Sequence, residues 1–384
     1  MELIENDRQL LNAVKDGNMS RAKAALEAGA KVDGSRMLPC APILAATIAN
    51  RVDMVDLLLQ QRADPDKPIT EALPHPCRSP EYAIAIPGER ALHLAARSGN
   101  FDIVRLLLKR SCADPNATDI KGGTPLLAAC RSSYVYANVV GLLIEAGADP
   151  ALEDKNGLNP LHVVAFNGHV DLVDVLYWRA PATLNRLNTL GHTPLFSACF
   201  RGHEKMVCKL LSLGAKQPVV SYGSDICPLL AALSKGFVDV VMVLINAGGI
   251  RAVGGRAALP NALYLSVRIH QTRILRLLLM ADGEEGRSEW ANTYLEGRHL
   301  LHYGAAYCSP AAVSILLEAG ADETVCDSEG RVIRDVIGLC RSRNKVQVDR
   351  WEGVAIRRML QRGPAYRARS WAWPSDAKVD VGGN

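Results

Sequence analysis

The chain has 384 residues, of which 48% are hydrophobic, 22% are charged and only 5% are aromatic. The apolar fraction excludes a disordered chain, and length alone suggests two or three globular domains. Large cores are usually filled by aromatic side chains. The scarcity of aromatic residues therefore favours a thin body built from Ala, Leu, Val and Gly.

The net charge of +4 is unevenly distributed along the chain. Residues 331–384 carry twelve lysines and arginines against five acids, whereas the first 330 residues carry 32 against 35. A nucleic-acid-binding body would be basic. The near-neutral main body therefore argues against nucleic acid as a partner.

Three further features indicate an ordinary intracellular protein. Acids are mixed into the N-terminal segment, which argues against a secretory signal. The most apolar stretch, 229–250, is interrupted by Lys235 and Asp239, so no membrane span is predicted. The ten cysteines include no CxxC pair, which argues against a disulfide scaffold or a zinc site. They favour a reducing compartment, the cytoplasm or alternatively the nucleus.

One apolar position recurs along most of the chain with a period near 34 residues. Its occupants in chain order are Leu10, Ile43, Leu92, Leu126, Leu161, Leu195, Leu229, Leu263 and Leu301. The one interval of 49 residues, between Ile43 and Leu92, contains an insertion. Such a period predicts a stack of structural repeats, each of which folds only against its neighbours.

The segment 191–215 shows what one repeat contains. Thr193 followed by Pro194 predicts a helix start, because Thr caps free backbone N–H groups and Pro needs none at the first helical position. Gly202 ends this helix, and a second helix is predicted over 204–211. Gly214 suits the left-handed position that ends the second helix. Each repeat is therefore predicted to be a helix–turn–helix unit with a projecting turn.

Three blocks of sequence carry a family resemblance: GHTPLFSACFRGH at 191–203, NPLHVVAFNGH at 159–169 and EAGADP at 145–150. They resemble the ankyrin repeat family. The resemblance implies an all-α fold, a solenoid of helix-turn-helix units with projecting β-turns.

The resemblance also implies a domain organisation. We expect a solenoid of about nine repeats over 1–330, with insertions near 66–87 and 283–297. A degenerate capping repeat is expected over 331–363, with its second helix over 354–363 and a capping box formed by Asp349 and Glu352. Each insertion is interpreted either as a functional loop or as a neutral one. The basic, Trp-containing tail, 364–384, is a partner motif, an acidic-surface contact or a strand folded over the last repeat.

Histidines and cysteines recur at equivalent positions. In the family, histidines placed like those here hold the turns and neighbouring repeats by hydrogen bonds. The residues concerned are His93, His162 and His302 at one position and His169 and His203 at another. Cys130 and Cys199 are interpreted as buried thiols that act as small apolar residues. No catalytic grouping, cofactor motif or metal motif stands out, so we expect a protein that is not an enzyme and has no small-molecule substrate.

In the ankyrin arrangement, the residues after the paired alanines of each first helix face the concave side. Adjacent repeats stack about 10 Å apart, so these residues form one row, here called the inner strip. Its predicted partner-binding residues are Arg97, Arg131, Phe166, Asn167, Phe200, Arg201, Lys235, Arg268 and Tyr307. Exposed aromatic and arginine side chains often anchor partners. Alternatively, Phe166 and Phe200 pack on each other and fill a groove between repeats.

The turns offer further candidate contacts. Leu158 and Leu190 are apolar where polar residues would satisfy a turn, which favours contact with a partner. Residues 133–138 lengthen the turn between the two helices of the fourth repeat, and we expect them to expose Tyr134 and Tyr136.

Together these features predict a monomeric, non-enzymatic scaffold that binds a partner protein of unknown identity through the inner strip and the turn tips. Two other functions stay open. One is a substrate-recognition adaptor of a larger assembly such as a ubiquitin ligase, docked through the C-terminal segment. The other is a nucleic-acid-associated protein that uses the basic C-terminal end.

Overall fold

A computed structural model describes residues 2–35, 40–70, 86–111, 113–216, 227–252, 259–280, 283–337 and 350–361. Most of the 66–87 insertion, Asp349 of the expected capping box and the tail from 362 onward lie outside these ranges. The chain divides into two compact units between Ala215 and Lys216, and each is described by itself.

The first unit is built from helix pairs in chain order, the first helix of each pair packing on the first helix of the next. Its helices are α1 (Glu2–Asp16), α2 (Met19–Glu27), α3 (Pro42–Ile48), α4 (Val52–Gln60), α5 (Ala91–Ser98), α6 (Phe101–Arg110), α7 (Pro125–Cys130), α8 (Ala137–Glu145), α9 (Pro160–Asn167), α10 (Val173–Tyr177), α11 (Pro194–Arg201) and α12 (Glu204–Ser212). Short 3-10 helices over Val170–Leu172 and Pro181–Asn185 flank α10.

The second unit repeats the pairing and adds a small hairpin. Its helices are α13 (Pro228–Lys235), α14 (Val238–Ala252), α15 (Leu259–Arg268), α16 (Thr272–Met280), α17 (Gly283–Ala291), α18 (Leu300–Ala306), α19 (Pro310–Glu318) and α20 (Arg350–Gln361). Strands β1 (Tyr294–Leu295) and β2 (Arg298–His299) pair antiparallel, and a 3-10 helix covers Ile333–Val336. The all-α repeat fold expected from the sequence is confirmed, with this hairpin as an addition.

The helix boundaries follow the predicted signals. The Thr193 side chain accepts a hydrogen bond from the Phe196 backbone N–H (3.1 Å), and Pro194 occupies the first helical position. Gly202 ends α11 in the left-handed conformation, with φ of 77°. Where other repeats lack a glycine at this position, Asn50 and His270 adopt the same conformation, each with φ of 57°. The repeat geometry therefore keeps the left-handed turn without glycine, using residue types that tolerate this conformation better than most.

The core of each pair is thin. First helices bury mainly small and branched residues, and α9 shows the pattern with Leu161, Val164 and Ala165 at 1% exposure or less. Layers of this kind need few aromatic side chains, which accounts for the composition. The scarcity of aromatics thus reflects the stacking of thin helical layers.

The 283–297 insertion is not the enlarged turn that the sequence suggested. It contains helix α17 and most of the β1–β2 hairpin. Gly286 and Trp290, four residues apart, share a buried face of α17, which packs on α16, and Trp290 is only 6% exposed. The glycines of the segment suggested a loop, but burial of the tryptophan face stabilises a helix.

Two other segments refine the sequence predictions. Tyr134 is exposed as expected, but Tyr136 is half-buried because its ring lies against the Gly99 backbone. Helix α20 occupies the region of the expected second helix of the capping repeat and packs on α19. The first half of that repeat is a short 3-10 helix, from which Arg334 faces solvent.

Candidate protein-binding site

The projecting turns of the first unit are each organised by one side chain. An Oδ1 oxygen of Asp119, Asp154 or Asn188 accepts two backbone N–H bonds, at 2.7–3.0 Å, from residues two and four positions further on. One backbone bond then joins each turn to the next, such as Lys155 N–H to the Lys121 carbonyl at 2.8 Å. The turns therefore form a hydrogen-bonded row beside the first helices.

Buried histidines tie each first helix to the following turn. The Nε2 atoms of His93 and His162 lie 3.0 and 3.1 Å from the carbonyls of Gly123 and His192, one repeat ahead. In the second unit, His302 Nε2 lies 3.0 Å from the Arg331 carbonyl. Burial lowers the pKa of His93 to about 4 and also lowers the pKa of His162. These contacts confirm the structural role that the resemblance implied.

The second histidine position points the other way along the stack. His169 Nε2 lies 2.8 Å from the Ser132 carbonyl, and His203 Nε2 lies 3.0 Å from the Phe166 carbonyl, both one repeat back. Each repeat is thus bonded to both neighbours. The backbone that carries the inner strip is fixed from two sides.

Two predicted inner-strip arginines are engaged in ion pairs with buried carboxylates. Arg97 forms a bidentate pair with Glu89, at 2.7 and 3.1 Å, within its own repeat. Arg131 reaches Asp154 of the next turn at 2.6 Å. Burial raises the pKa of Glu89 despite the opposing effect of the Arg97 guanidinium. Both arginines therefore support the turns, and each keeps about a quarter to a third of its side chain exposed.

A pocket of about 450 Å³ opens between α9, α11 and the turns that precede them. It is lined by Arg131, Leu158, His162, Val163, Phe166, Asn167, Asn188, Leu190, His192, Phe196, Ser197 and Phe200. Six of the eleven residues predicted for partner binding meet here: Arg131, Leu158, Phe166, Asn167, Leu190 and Phe200. Predicted residues of the inner strip and of the turns therefore line one pocket in the first unit.

An aromatic stack forms one wall of this pocket. The rings of His192 and Phe196 are 3.9 Å apart, those of Phe196 and Phe200 are 6.2 Å apart, and both pairs are stacked. Burial lowers the pKa of His192, which favours the neutral form of the stacked ring. Phe196 was missed as a site residue, although its four-residue spacing from Phe200 signals a shared face of α11.

The opposite side of the pocket is apolar and partly exposed. Leu190 is 68% exposed and Phe166 is 42% exposed. Arg201 covers Phe166, with its Cζ 4.8 Å from the ring centroid. Asn167 donates from Nδ2 to the Cys130 carbonyl at 3.0 Å and so links α9 to α7. Leu158 is half-buried in the pocket wall rather than exposed at a turn tip.

The remaining predicted site residues belong to the second unit. Lys235 and Arg268 are exposed at the ends of α13 and α15. The Tyr307 hydroxyl lies 2.9 Å from the Tyr264 hydroxyl, and the Tyr303 ring contacts both rings. This tyrosine cluster could not be predicted from the sequence, because Tyr264 and Tyr303 come from different repeats.

The described residues also report on metal ligation, thiol reactivity and membrane insertion. They contain no group of three or more His, Cys, Asp or Glu side chains that could hold a metal ion. Cys130 is fully buried, and burial raises the pKa of its thiol to about 12. Nor do the described ranges include a helix long and apolar enough to cross a membrane.

Comparison with known proteins agrees with this architecture. Residues 72–154 and 133–221 match the family model described as ankyrin repeats (3 copies). The chain is 25% identical over 289 residues to Ankyrin repeat protein nuc-2 of Neurospora crassa, covering 75% of this chain and 25% of that protein. It is 34% identical over 150 residues to Tyrosine-protein kinase HTK16 of Hydra vulgaris, covering 38% and 20%. It is 23% identical over 298 residues to the human Transient receptor potential cation channel subfamily A member 1, covering 76% and 25%.

The chain spans a quarter or less of the length of these relatives. The repeats, the turn geometry and these matches together define the class of the matched region: residues 72–221 are ankyrin repeats. Ankyrin repeats generally mediate protein–protein interaction, and the family is generally non-catalytic.

Proposed function

We propose that the protein is a non-enzymatic scaffold that binds a partner protein through the inner strip and turn tips of its first unit. The observation that carries the proposal is the pocket between α9 and α11, around which partly exposed Phe166, Phe200 and Leu190 converge. Apolar and aromatic side chains gathered around a concave site are typical of interaction surfaces. Arg201 beside them adds a residue type that is enriched in such surfaces.

The mechanism is presentation of a preformed surface. His162 and His203 hold α9 and α11 in register through bonds to neighbouring repeats. Asn188 fixes the turn that carries Leu190. Because these groups are ordered before binding, little conformational entropy is lost when a partner docks. We place this interaction in the cytoplasm, since ten cysteines without a CxxC pair suit a reducing compartment. We further propose that the protein acts as a monomer.

The test replaces Phe166, Phe200 and Arg201 together with alanine. Affinity capture from a cell extract, quantified by mass spectrometry, should lose the proteins that the wild-type chain retains. The helical circular-dichroism signal and cooperative melting should persist, because Phe166, Phe200 and Arg201 are all partly exposed.

The matched control replaces Tyr134, Trp178 and Arg179 with alanine. These are also two exposed aromatic residues and an arginine, but they do not line the pocket. The control should capture the same proteins as the wild type. A folded Phe166/Phe200/Arg201 variant with wild-type capture contradicts the proposal, and so does a control that loses the same proteins.

A further inference from the structure

The pocket accepts a particular kind of ligand group. Its walls are largely apolar: the stacked rings of Phe196 and Phe200 on one side, and Leu158, Phe166 and Leu190 around them. A volume of about 450 Å³ lies within the range of cavities that bury compact organic ligands. It therefore has room for one or two large apolar side chains of a partner.

The charged side chains around the pocket that are exposed to solvent are positive. Six charged residues lie on helices α7, α9 and α11, on the turns before these helices, or directly after α7. They are Asp119, Lys121, Arg131, Asp154, Lys155 and Arg201. Asp119 and Asp154 are both buried residues, and their carboxylates accept hydrogen bonds from their own turns. Arg131 also pairs with Asp154. Exposed Lys121, Lys155 and Arg201 therefore set the outward charge.

The acid that directly precedes Asp154 in the chain does not reverse that sign. Glu153, which precedes the second of these turns, forms an ion pair with Arg186 at 2.7 Å. Burial lowers the pKa of His192, so its ring adds little positive charge to the pocket near neutral pH. The apolar pocket thus lies among turns and helices whose exposed charged side chains, Lys121, Lys155 and Arg201, are positive.

We infer that the partner segment seated here is an acidic peptide with one or two large apolar anchor side chains, which rests on the proposed function and names its ligand class. The anchors fill the pocket against Phe196 and Phe200. Flanking aspartates or glutamates face Lys121, Lys155 and Arg201. Complementary charge of this kind raises the association rate and rejects partners of the opposite sign.

The experiment measures fluorescence anisotropy with the full chain and three synthetic, fluorescein-labelled peptides. The first has a central Leu-Phe pair flanked on both sides by glutamates. The second has lysines in place of the glutamates, and the third has Ser-Ser in place of Leu-Phe. The first peptide should bind at least about tenfold more tightly than either of the others. Its affinity should fall as salt is raised, because exposed charges are screened.

Two variants test the two halves of the inference separately. The double charge reversal Lys121→Glu/Lys155→Glu should weaken the acidic peptide by about tenfold or more and strengthen the lysine peptide. Leu190→Ser should weaken both Leu-Phe peptides alike. Both variants alter exposed side chains, so circular dichroism should report an unchanged fold.

Several results would overturn the inference. They are equal binding of the acidic and lysine peptides, equal binding of the Leu-Phe and Ser-Ser peptides, and no binding of the acidic peptide. Tighter binding of a labelled oligo-dT strand would also overturn it, in favour of single-stranded nucleic acid stacked on the aromatic wall. If the peptides fail while the Phe166/Phe200/Arg201 variant still loses captured proteins, only the ligand class is wrong. If that variant captures normally, the proposed function itself fails.

Discussion

Arg131 at the end of α7 donates from Nη2 to Oδ2 of Asp154, 2.6 Å away in the turn of the next repeat. The Asp154 side chain is 2% exposed, and its other oxygen accepts two backbone N–H bonds of the same turn. One carboxylate thus holds its own turn and the preceding helix together. The inner strip therefore contains residues that maintain the surface, such as Arg131, as well as exposed residues such as Phe166.

Replacing Arg131 with methionine should lower the free energy of unfolding by about 2 kcal/mol, because the buried Asp154 carboxylate loses a charge-assisted hydrogen bond. Urea denaturation followed by circular dichroism measures the change. Arg201→Met is the control, since its cation–π contact on a partly exposed ring contributes about 0.5–1 kcal/mol. Equal losses in the two variants would show that the Arg131–Asp154 pair is not structural.

Replacing Gly99 with alanine should destabilise the protein more than a left-handed glycine replacement normally does. Gly99 has φ of +72°, which costs a residue with a β-carbon about 1–2 kcal/mol, and the added methyl would also overlap the Tyr136 ring. Thermal melting of Gly99→Ala should therefore show a larger loss than that of Gly214→Ala, which has φ of +87° and open space around it.

The Tyr136 contact can be separated from the backbone effect. In a Tyr136→Ala background, Gly99→Ala should cost about as much as Gly214→Ala, because only the left-handed strain remains. If Gly99→Ala costs the same with and without the tyrosine ring, the close packing of Tyr136 on Gly99 has no energetic weight.

The helices and turns could be predicted from the sequence because their determinants are local. Thr193, Pro194 and Gly202 act on the backbone within a few residues of themselves, and the 34-residue period locates each equivalent set. The buried histidines followed from the family resemblance for the same reason. Their partners lie a fixed number of residues ahead or behind, as with His93 and Gly123.

The roles of individual strip residues could not be predicted, because they depend on contacts between repeats. The period places Arg97, Arg131 and Phe166 at equivalent positions, yet the two arginines pair with Glu89 and Asp154, while Phe166 borders the pocket. Whether an arginine is engaged depends on a carboxylate in a neighbouring turn. Helix α17 could not be predicted for a similar reason. Burial of Trp290 against α16 outweighs the poor local helix signals of the α17 sequence.

Cysteine labelling should separate buried from exposed thiols. Iodoacetamide reacts with the thiolate, so Cys130, which is fully buried and whose pKa burial raises to about 12, should stay unmodified at pH 8. Exposed Cys326 should react within minutes under the same conditions. Peptide mass spectrometry quantifies both sites, and labelling in urea supplies the unfolded reference. Equal rates at the two sites in the native protein would contradict the burial of Cys130.

The stability of the protein should decrease as the pH falls from about 6.5 to about 4, partly because of His93. Its ring is fully buried, Nδ1 accepts from the Arg90 backbone N–H, and the pKa is lowered to about 4 by burial. Between these pH values the unfolded chain binds a proton that the folded chain does not bind. The neutral His93 ring therefore makes its full contribution to the free energy of unfolding above pH 6.5. This contribution is lost as the pH falls toward 4.

A shift of this size corresponds to about 3 kcal/mol at most between the two ends of the pH range. His93→Gln removes the titrating ring and retains a donor that can reach the Gly123 carbonyl. Urea midpoints measured at intervals from pH 7.5 to pH 4 should fall less steeply for this variant than for the wild type. The residual slope comes from other buried groups such as His162 and His299, whose pKa values burial also lowers. Parallel curves for the two proteins would contradict this prediction. They would show that His93 binds its proton equally in the folded and unfolded chains, as a fully buried neutral ring would not.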